Sequence, residues 1–368
     1  MYLISELKRI LNQTFKFHKP RVDCLAKFLL GLFSVRTVNL SEIAVAFQGK
    51  AQKASRYTRL HRFLKQVNFD SLQVARFIFN LFPLKGQKVY LTLDRTNWYW
   101  GKQKLNVLVL GIAYEGVAIP LFWTWLPKGG NASGQEHSTM IQRFLQCFDS
   151  SIIAGVLADR EFANQDFFKY LSDHQIPFYI RIKEGALVSH FKHSKPFKAK
   201  QLFKGLDLNE QQYQQQPVTV HGQQCCLAAG RSPKGELLIV ATNQSPHNAV
   251  SIYLRRWEIE NLFATLKSKG FRFEETHVTK LPRLNTFMNI LAIGFAWMHR
   301  IGEWAAEIKP IQWKTYRNKK RYLQSTFFRY GLDYFRELLL QFKPAKTLLR
   351  QCLRLLNIPP QIPIGVSS

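Results

Sequence analysis

Through the first 85 or so positions, apolar residues recur at steps of three and four, the spacing of amphipathic helices. "CLAKFLLGLF" and "SEIAVAF" are the clearest cases, with Asn39 or Ser41 placed to cap the second. From Lys88 the period shortens to two. "VYLTLD" alternates and closes on Asp94, and "LNVLVLGIAY" and "VAIPLFWTWL" follow as β-rich runs parted by Glu and Gly, which predicts a three-stranded antiparallel meander. "GQEHSTMIQRFLQCF" returns to helical spacing. "IIAGVLAD" is a continuous apolar run ending on Asp159, the pattern of a buried parallel strand. "NQDFFKYLSDHQ" reads as a helix and "PFYIRIKEG" as a strand.

Residues 184–236 break this rhythm. They are glutamine-rich ("NEQQYQQQ") and less apolar, with short β-like pieces such as "PVTVHG" and "CCLAAG", and predict a β-rich inserted subdomain. "LLIVATN" resumes core-strand character. "SIYLRRWEIENLFATLKSKGF" is expected as one long helix and "LNTFMNILAIGFAWMHRIGEWAAE" as a buried one, and the tail from Lys309 as basic and helical with a loose, proline-containing end. The order is α/β with helical flanks: an N-terminal helical region over 1–85, a core over 86–183 and 237–308, the insertion over 184–236 and a basic helical region over 309–368.

Charge narrows the function. The 368 residues include 52 Lys and Arg against 24 Asp and Glu, a net +28. Such an excess calls for a polyanionic partner or an anionic surface. It is concentrated at the ends: 13 basic and 4 acidic residues between Met1 and Asp70, and the same counts between Arg300 and Ser368. Lys53, Arg56, Arg59, Arg62 and Lys65 recur every three residues, a cationic stripe that fits a solvated face or contact with phosphates. The start "MYLISELKRI" has no apolar signal region, and no run is both long and uninterrupted enough for a membrane span, so a cytosolic protein without membrane attachment is expected. Five cysteines without C-x-x-C spacing fit neither zinc nor a disulfide framework.

The candidate chemistry lies in three acids. On a helix through residues 251–271, Tyr253, Arg256, Glu260 and Lys267 fall within an arc of about 60° spanning about 21 Å, beside the apolar face. Arg and Lys are phosphate ligands there and Tyr a hydroxyl donor. Glu260 has an ordinary explanation as the i, i+4 partner of Arg256. Asp94 and Asp159, however, each close a predicted core strand, where open sheets place ligand sites, although an Asp at a strand end is also a common turn former. Three carboxylates at two strand ends and on one helix face would suit two hard divalent cations, Mg²⁺ or Mn²⁺, for attack on a phosphodiester.

"Y-LR-R-WEI-E-NLFATL-K" resembles the Y-x2-R-x3-E-x6-K signature of bacterial insertion-sequence transposases of the insertion sequence four family. "LTLDRTNW" and "LADREF" are similar to that family's first and second aspartate motifs, and "SKGFRFEETHVTKLPRL" continues the likeness, which covers Lys88 to about Ala306. The resemblance implies an RNase H-like fold, a mixed five-stranded sheet with flanking helices and a β-rich insertion between the second Asp and the Glu. The 260 − 159 = 101 residues here leave room for one. It implies Asp94, Asp159 and Glu260 as the DDE metal ligands, with Tyr253, Arg256, Trp257 and Lys267 at the DNA near the cleaved end. Arg160 is expected to help with phosphate or structure, and Lys53, Arg56, Arg59 and Arg62 to bind DNA. The implied activity is cut-and-paste transposition: cleavage at terminal inverted repeats and joining of the 3′-hydroxyls to target DNA by a homodimer, with no small-molecule cofactor.

The sequence departs from hairpin-forming relatives in having no Trp between Pro177 and Asn243, where Phe191, Phe197, Phe203 or Tyr213 would have to stack a flipped base. Two alternatives remain at this point, an RNase H-like nuclease without strand transfer and a domesticated non-catalytic DNA-binding protein. His137 reads as a helix-start residue and "PKGGNASG" as a turn-forming loop near the site.

Overall fold

The computed structural model describes residues 2–47, 49–100, 103–126, 132–190, 195–315, 321–341 and 345–357. The chain divides into two compact units: Gly86–Trp98 with Lys104–Phe263, and Met1–Lys85 with Tyr99–Gln103 and Ala264–Ser368.

The first of these is built on a sheet. In chain order its elements are β1 (Val89–Trp100), β2 (Gln103–Tyr114), β3 (Val117–Trp125), β4 (Ile153–Ala158), β5 (Phe178–Ile182), β6 (Leu187–Ser189), β7 (Phe197–Lys198), β8 (Gln211–Tyr213), β9 (Val218–Val220), β10 (Gln223–Arg231) and β11 (Leu237–Thr242). Eleven strands run in the order β3-β2-β1-β4-β5-β11-β10-β9-β6-β7, with β8 paired to β10 off this path. β1, β4 and β5 are parallel neighbours, the arrangement that buries both faces of a strand and explains the unbroken apolar run of β4. β2 and β3 are antiparallel. Their two-residue turn, Glu115–Gly116, has positive φ at both positions (47° and 80°), the backbone that matches strand twist in tight hairpins and that Gly116 adopts without strain.

Residues 184–236 hold the five short strands β6 to β10, of which β6, β7 and β9 pair locally with one another and with the start of β10. β10 pairs with β11 along six residues and β11 with β5, so the strands of the glutamine-rich stretch extend the main sheet beyond the five expected in the core. The open edge of β5 needs backbone partners whatever the side chains. The composition break reports exposure, as in β8, all of whose residues are exposed, and not sheet membership.

The helical unit holds α1 (Tyr2–Thr14), α2 (Lys19–Val35), α3 (Leu40–Ala46), α4 (Lys53–Gln66) and α5 (Ser71–Asn80). In the sheet unit follow α6 (Gly134–Leu145), α7 (Gln165–Asp173) and α8 (Ala249–Leu254). α9 (Trp257–Leu266) crosses the boundary, and α10 (Leu281–Ile308), α11 (Phe327–Leu340) and α12 (Lys346–Arg354) complete the helical unit. Asn39 caps α3 through Ser41 N, and Asp70 caps α5 through Leu72 N and Gln73 N. α10 is 28 residues long and buried on most of its circumference, as its apolar sequence requires. Phe33 of α2 meets Trp297 of α10 and Phe335 of α11 edge-on. α10 and α11 approach so closely at Gly302 and Gly331 that a Cβ on either would collide with the Phe327 or the Met298 carbonyl.

The basic tail is not wholly helical. Between α10 and α11 the chain forms a hairpin, β12 (Trp313–Thr315) paired antiparallel with β13 (Arg321–Leu323). The expected loose end, residues 358–368, lies outside the described residues, as do residues 127–131 of the "PKGGNASG" loop. No single helix among the described residues is long and apolar enough to cross a membrane. α2 and α3 pass that test only as a pair bent by 102°, and most of their apolar residues are buried. All five cysteines are free, and burial pushes the thiols of Cys24, Cys225 and Cys352 up to about 12.

Candidate active site

The parallel pairing of β1 with β4 ends at Leu93↔Ala158, so the next residues, Asp94 and Asp159, stand side by side where the two strands part. The same row continues to β5, where Ala158 pairs with Ile180 and Arg181 follows. Contrary to expectation, β1 does not stop at Asp94 but runs on to Trp100. It is the pairing with β4 that stops.

The third acid arrives on a helix that is broken. The segment predicted as one helix is α8 and α9, separated at Arg255–Arg256 by i, i+3 turns: Arg256 N donates to Tyr253 O at 2.8 Å and Ile259 N to Arg256 O at 3.1 Å. Tyr253 is held by packing, its ring buried with Leu157, Tyr179, Ala228, Val240, Ala249 and Val250 over four strands. Its hydroxyl reaches Asp159 Oδ1 at 3.3 Å.

Arg256 joins the set. Its Nη1 donates to Asp94 Oδ2 at 2.9 Å, Nη2 to Glu260 Oε1 at 2.7 Å and Nε to Tyr253 Oη at 3.2 Å. One guanidinium, only 5% exposed, thus bonds two of the three acids directly and the third through Tyr253. Burial works against the Arg256 charge, but Tyr253, Glu260, Asp94 and Asp159 outweigh it and hold the group cationic. Burial of Asp94 prevails over the attraction of Arg256 and pushes its carboxyl up to about 6, and the nearby acids Glu161 and Asp159 act in the same direction.

Two side chains that sequence reasoning passed over complete the surroundings. Arg95, next to Asp94, forks onto Glu161, two residues after Asp159: Nη2 to Oε2 at 3.0 Å and Nε to Oε1 at 3.2 Å. The pair ties β1 to the 3₁₀ turn that follows β4, beside the two aspartates, and Arg95 Nη1 also reaches the buried Asn106 at 3.4 Å. Arg181 pairs with Glu236 at 2.8 Å and feels both Tyr253 and Asp159. The signal for Arg181 was an arginine inside an otherwise apolar strand. For Arg95 there was none beyond its adjacency to Asp94.

The other anticipated residues are dispersed. Trp257 is 55% exposed, with the Arg256 guanidinium 5.6 Å from its ring centroid, and Arg160 is exposed on a 3₁₀ turn. Lys267 follows α9 and belongs to the helical unit, where burial lowers its pKa against the attraction of Glu274. The stripe on α4 is divided. Arg56 donates to the carbonyls of Ala51 (2.7 Å) and Gly49 (2.6 Å), and Arg59 to Pro20 O (2.8 Å) and Asp23 Oδ2 (2.9 Å), so both tie the chain to itself, while Lys53, Arg62 and Lys65 are exposed. With His18, Arg21 and Thr58, Arg59 and Arg62 line a cleft of about 720 Å³. His137 is buried in the first turn of α6 against Phe162 and Phe167. Of the aromatics in the glutamine-rich region, Phe203 is buried, Phe197 lies against His190, Tyr213 is 41% exposed and Phe191 is outside the described residues.

Three carboxylates are the donor chemistry of a hard divalent cation. Asp159 Oδ2 and Glu260 Oε2 carry no hydrogen bond among the described residues, which leaves oxygens for such an ion. As the side chains stand, no group of three or more His, Cys, Asp or Glu among the described residues is close enough to hold one, and Asp94 and Glu260 are each paired with Arg256. The donor types fit, and Arg256 occupies the compensating role that an ion would share.

Residues 128–296 match the family described as transposase DDE domain, a stretch that includes Asp159 and Glu260 and leaves Asp94 outside. Over that stretch, less than half of the chain, the protein is similar to DDE transposases. A solved structure, the piggyBac transposase synaptic complex with hairpin DNA, is similar at 11% identity with a TM-score of 0.44, covering 100% of this chain and 85% of that one. No curated protein matches the chain.

Proposed function

We propose that the protein is a DNA transposase that cuts terminal inverted repeats and joins the freed 3′-hydroxyls to target DNA, with Asp94, Asp159 and Glu260 as its catalytic acids. The observation that carries the reading is the gathering of these acids around Arg256, in a chain of net charge +28 that matches a transposase DDE domain. An RNase H-like core is part of the proposal, supported by the strand order β3-β2-β1-β4-β5 with β1, β4 and β5 parallel.

Asp94, Asp159 and Glu260 would hold Mg²⁺ or Mn²⁺, which when bound activates an attacking oxygen and stabilises the leaving one. Asp94 must be ionised to take part, and Arg256 favours that state. The Tyr253 hydroxyl orients Asp159. A guanidinium released from Asp94 presents a planar fork to a phosphodiester, and this assigns Arg256 to the scissile strand. Trp257, exposed beside Arg256, offers a face for a base, and Arg160 and Lys267 supply further positive charge along the DNA. The protein would act as a homodimer on two transposon ends.

The test is incubation of the full-length protein with Mg²⁺, the DNA segments that border its coding region, screened for inverted repeats, and a target plasmid. Covalently joined product is expected. Cleaved ends without joining would leave a nuclease, and no metal-dependent cleavage would refute the proposal.

A further inference from the structure

Among the described residues of the basic tail, the β12–β13 hairpin is the β element, and it stands out by what it exposes. Its register is Trp313↔Leu323, Lys314↔Tyr322 and Thr315↔Arg321. Opposed residues share a face, so Trp313, Thr315, Arg321 and Leu323 lie on one side and Lys314 and Tyr322 on the other. All six are exposed, with Trp313 at 57% and Tyr322 at 48%. The Arg321 guanidinium sits 5.9 Å from the Trp313 ring centroid. At the base, Gln324 N donates to Gln312 O at 2.8 Å, so the ribbon is closed as a hairpin. Between Glu307 and Asp333 the sequence has seven basic residues and no acidic one.

A two-stranded ribbon with both faces in water gains little stability from its own pairing. Large apolar side chains left on such an element point to a partner that covers them. The charge specifies that partner as a polyanion, and the dimensions specify its form. Strands about 4.8 Å apart make a two-stranded ribbon that the major groove of B-DNA, roughly 12 Å wide, admits.

We infer that the β12–β13 hairpin is a duplex-DNA contact, with Lys314 and Arg321 on phosphates and the Trp313 face against the groove wall. This inference rests on the reading of the chain as a DNA transposase, and it adds a contact surface outside the three acids.

The experiment measures affinity of the full-length protein for a short mixed-sequence duplex by fluorescence anisotropy, between about 50 and about 300 mM salt. Each phosphate contact contributes about 0.9 to the slope of log K against log salt, so K314A/R321A should lower that slope by about 1.8. W313A should weaken binding with the slope unchanged, and neither variant should shift the melting temperature, since the residues are exposed. Wild-type slopes and affinities in both variants would overturn the hairpin contact. Losses confined to single-stranded DNA, or to anionic phosphatidylserine vesicles, would overturn its assignment to duplex. Metal-dependent cleavage of the transposon ends is scored separately. Its absence with the slope change present would sink the transposase reading and leave the hairpin contact standing, while a wild type that binds no duplex would sink both.

Discussion

Replacing Arg256 with Met tests the organisation of the site directly. Met keeps much of the length and apolar volume and removes the charge and all three donors. The bond to Asp94 is the costly one to lose, since the two side chains are only 6% and 15% exposed, and breaking a buried pair costs about 3–5 kcal/mol. Glu260 is 43% exposed, which holds its share to about 0.5 kcal/mol. The Tyr253 bond adds about 1 kcal/mol. Protonation of Asp94, already pushed up to about 6, relieves part of the first loss, so the net is about 4 kcal/mol. For a cooperative unit of this size that is roughly 8–16 °C in melting temperature. The assay is differential scanning fluorimetry of the full-length protein with EDTA and with Mg²⁺. The variant should melt lower in EDTA and gain more from Mg²⁺ than wild type, because the ion then supplies counter-charge that the guanidinium no longer provides. Arg256→Lys, which keeps charge without the fork, should fall between. A variant as stable as wild type, or one with the same response to Mg²⁺, would refute the shared role of the guanidinium and the ion.

Further outcomes follow from the same geometry. A buried acid with a raised pKa favours folding most when neutral. The Asp94 contribution in metal-free protein should therefore be fully present below about pH 4 and lost as pH rises through about 6, and Asp94→Asn should abolish that fall in a pH series of melting curves. Metal-dependent cleavage at subsaturating Mg²⁺ should show the opposite sense, falling as pH drops, because the proton competes with the ion for the Asp94 carboxyl. Arg95→Glu should weaken cleavage and stability, and Arg95→Glu/Glu161→Arg should recover part of both. A double-mutant cycle giving about 1–2 kcal/mol of coupling is expected, and none would deny the tie. Gly331→Ala should cost about 3 kcal/mol in urea titration, because its Cβ meets the Met298 carbonyl.

Periodicity alone made much of this architecture legible. β4 declared itself by a continuous apolar run, and α10 by apolar residues on all sides. The neighbourhood of Asp94, Asp159, Tyr253, Arg256 and Glu260 was anticipated through the likeness of their motifs to those of insertion-sequence transposases, since local features alone gave each residue an ordinary explanation and Asp94 lies inside β1, not at its end. What escaped were features set by distant partners or by a single hydrogen bond. Arg95 and Glu161 are 66 positions apart, and nothing local announces their pairing. The break between α8 and α9 replaces i, i+4 bonds with i, i+3 bonds over two arginines, a change too small to disturb the apolar spacing. That β10 continues the main sheet through β11 was not legible, because polar composition tracks exposure, whereas sheet membership follows backbone pairing. The β12–β13 hairpin buries neither face, so it has no apolar alternation to read.

On the proposed function, Asp94, Asp159 and Glu260 together hold the divalent cations. Titration of the full-length protein with Mn²⁺, followed by electron paramagnetic resonance, tests it in D94N, D159N and E260Q. Each variant should lose about tenfold or more in Mn²⁺ affinity while remaining folded by circular dichroism. Wild-type Mn²⁺ binding in any of the three would contradict the account.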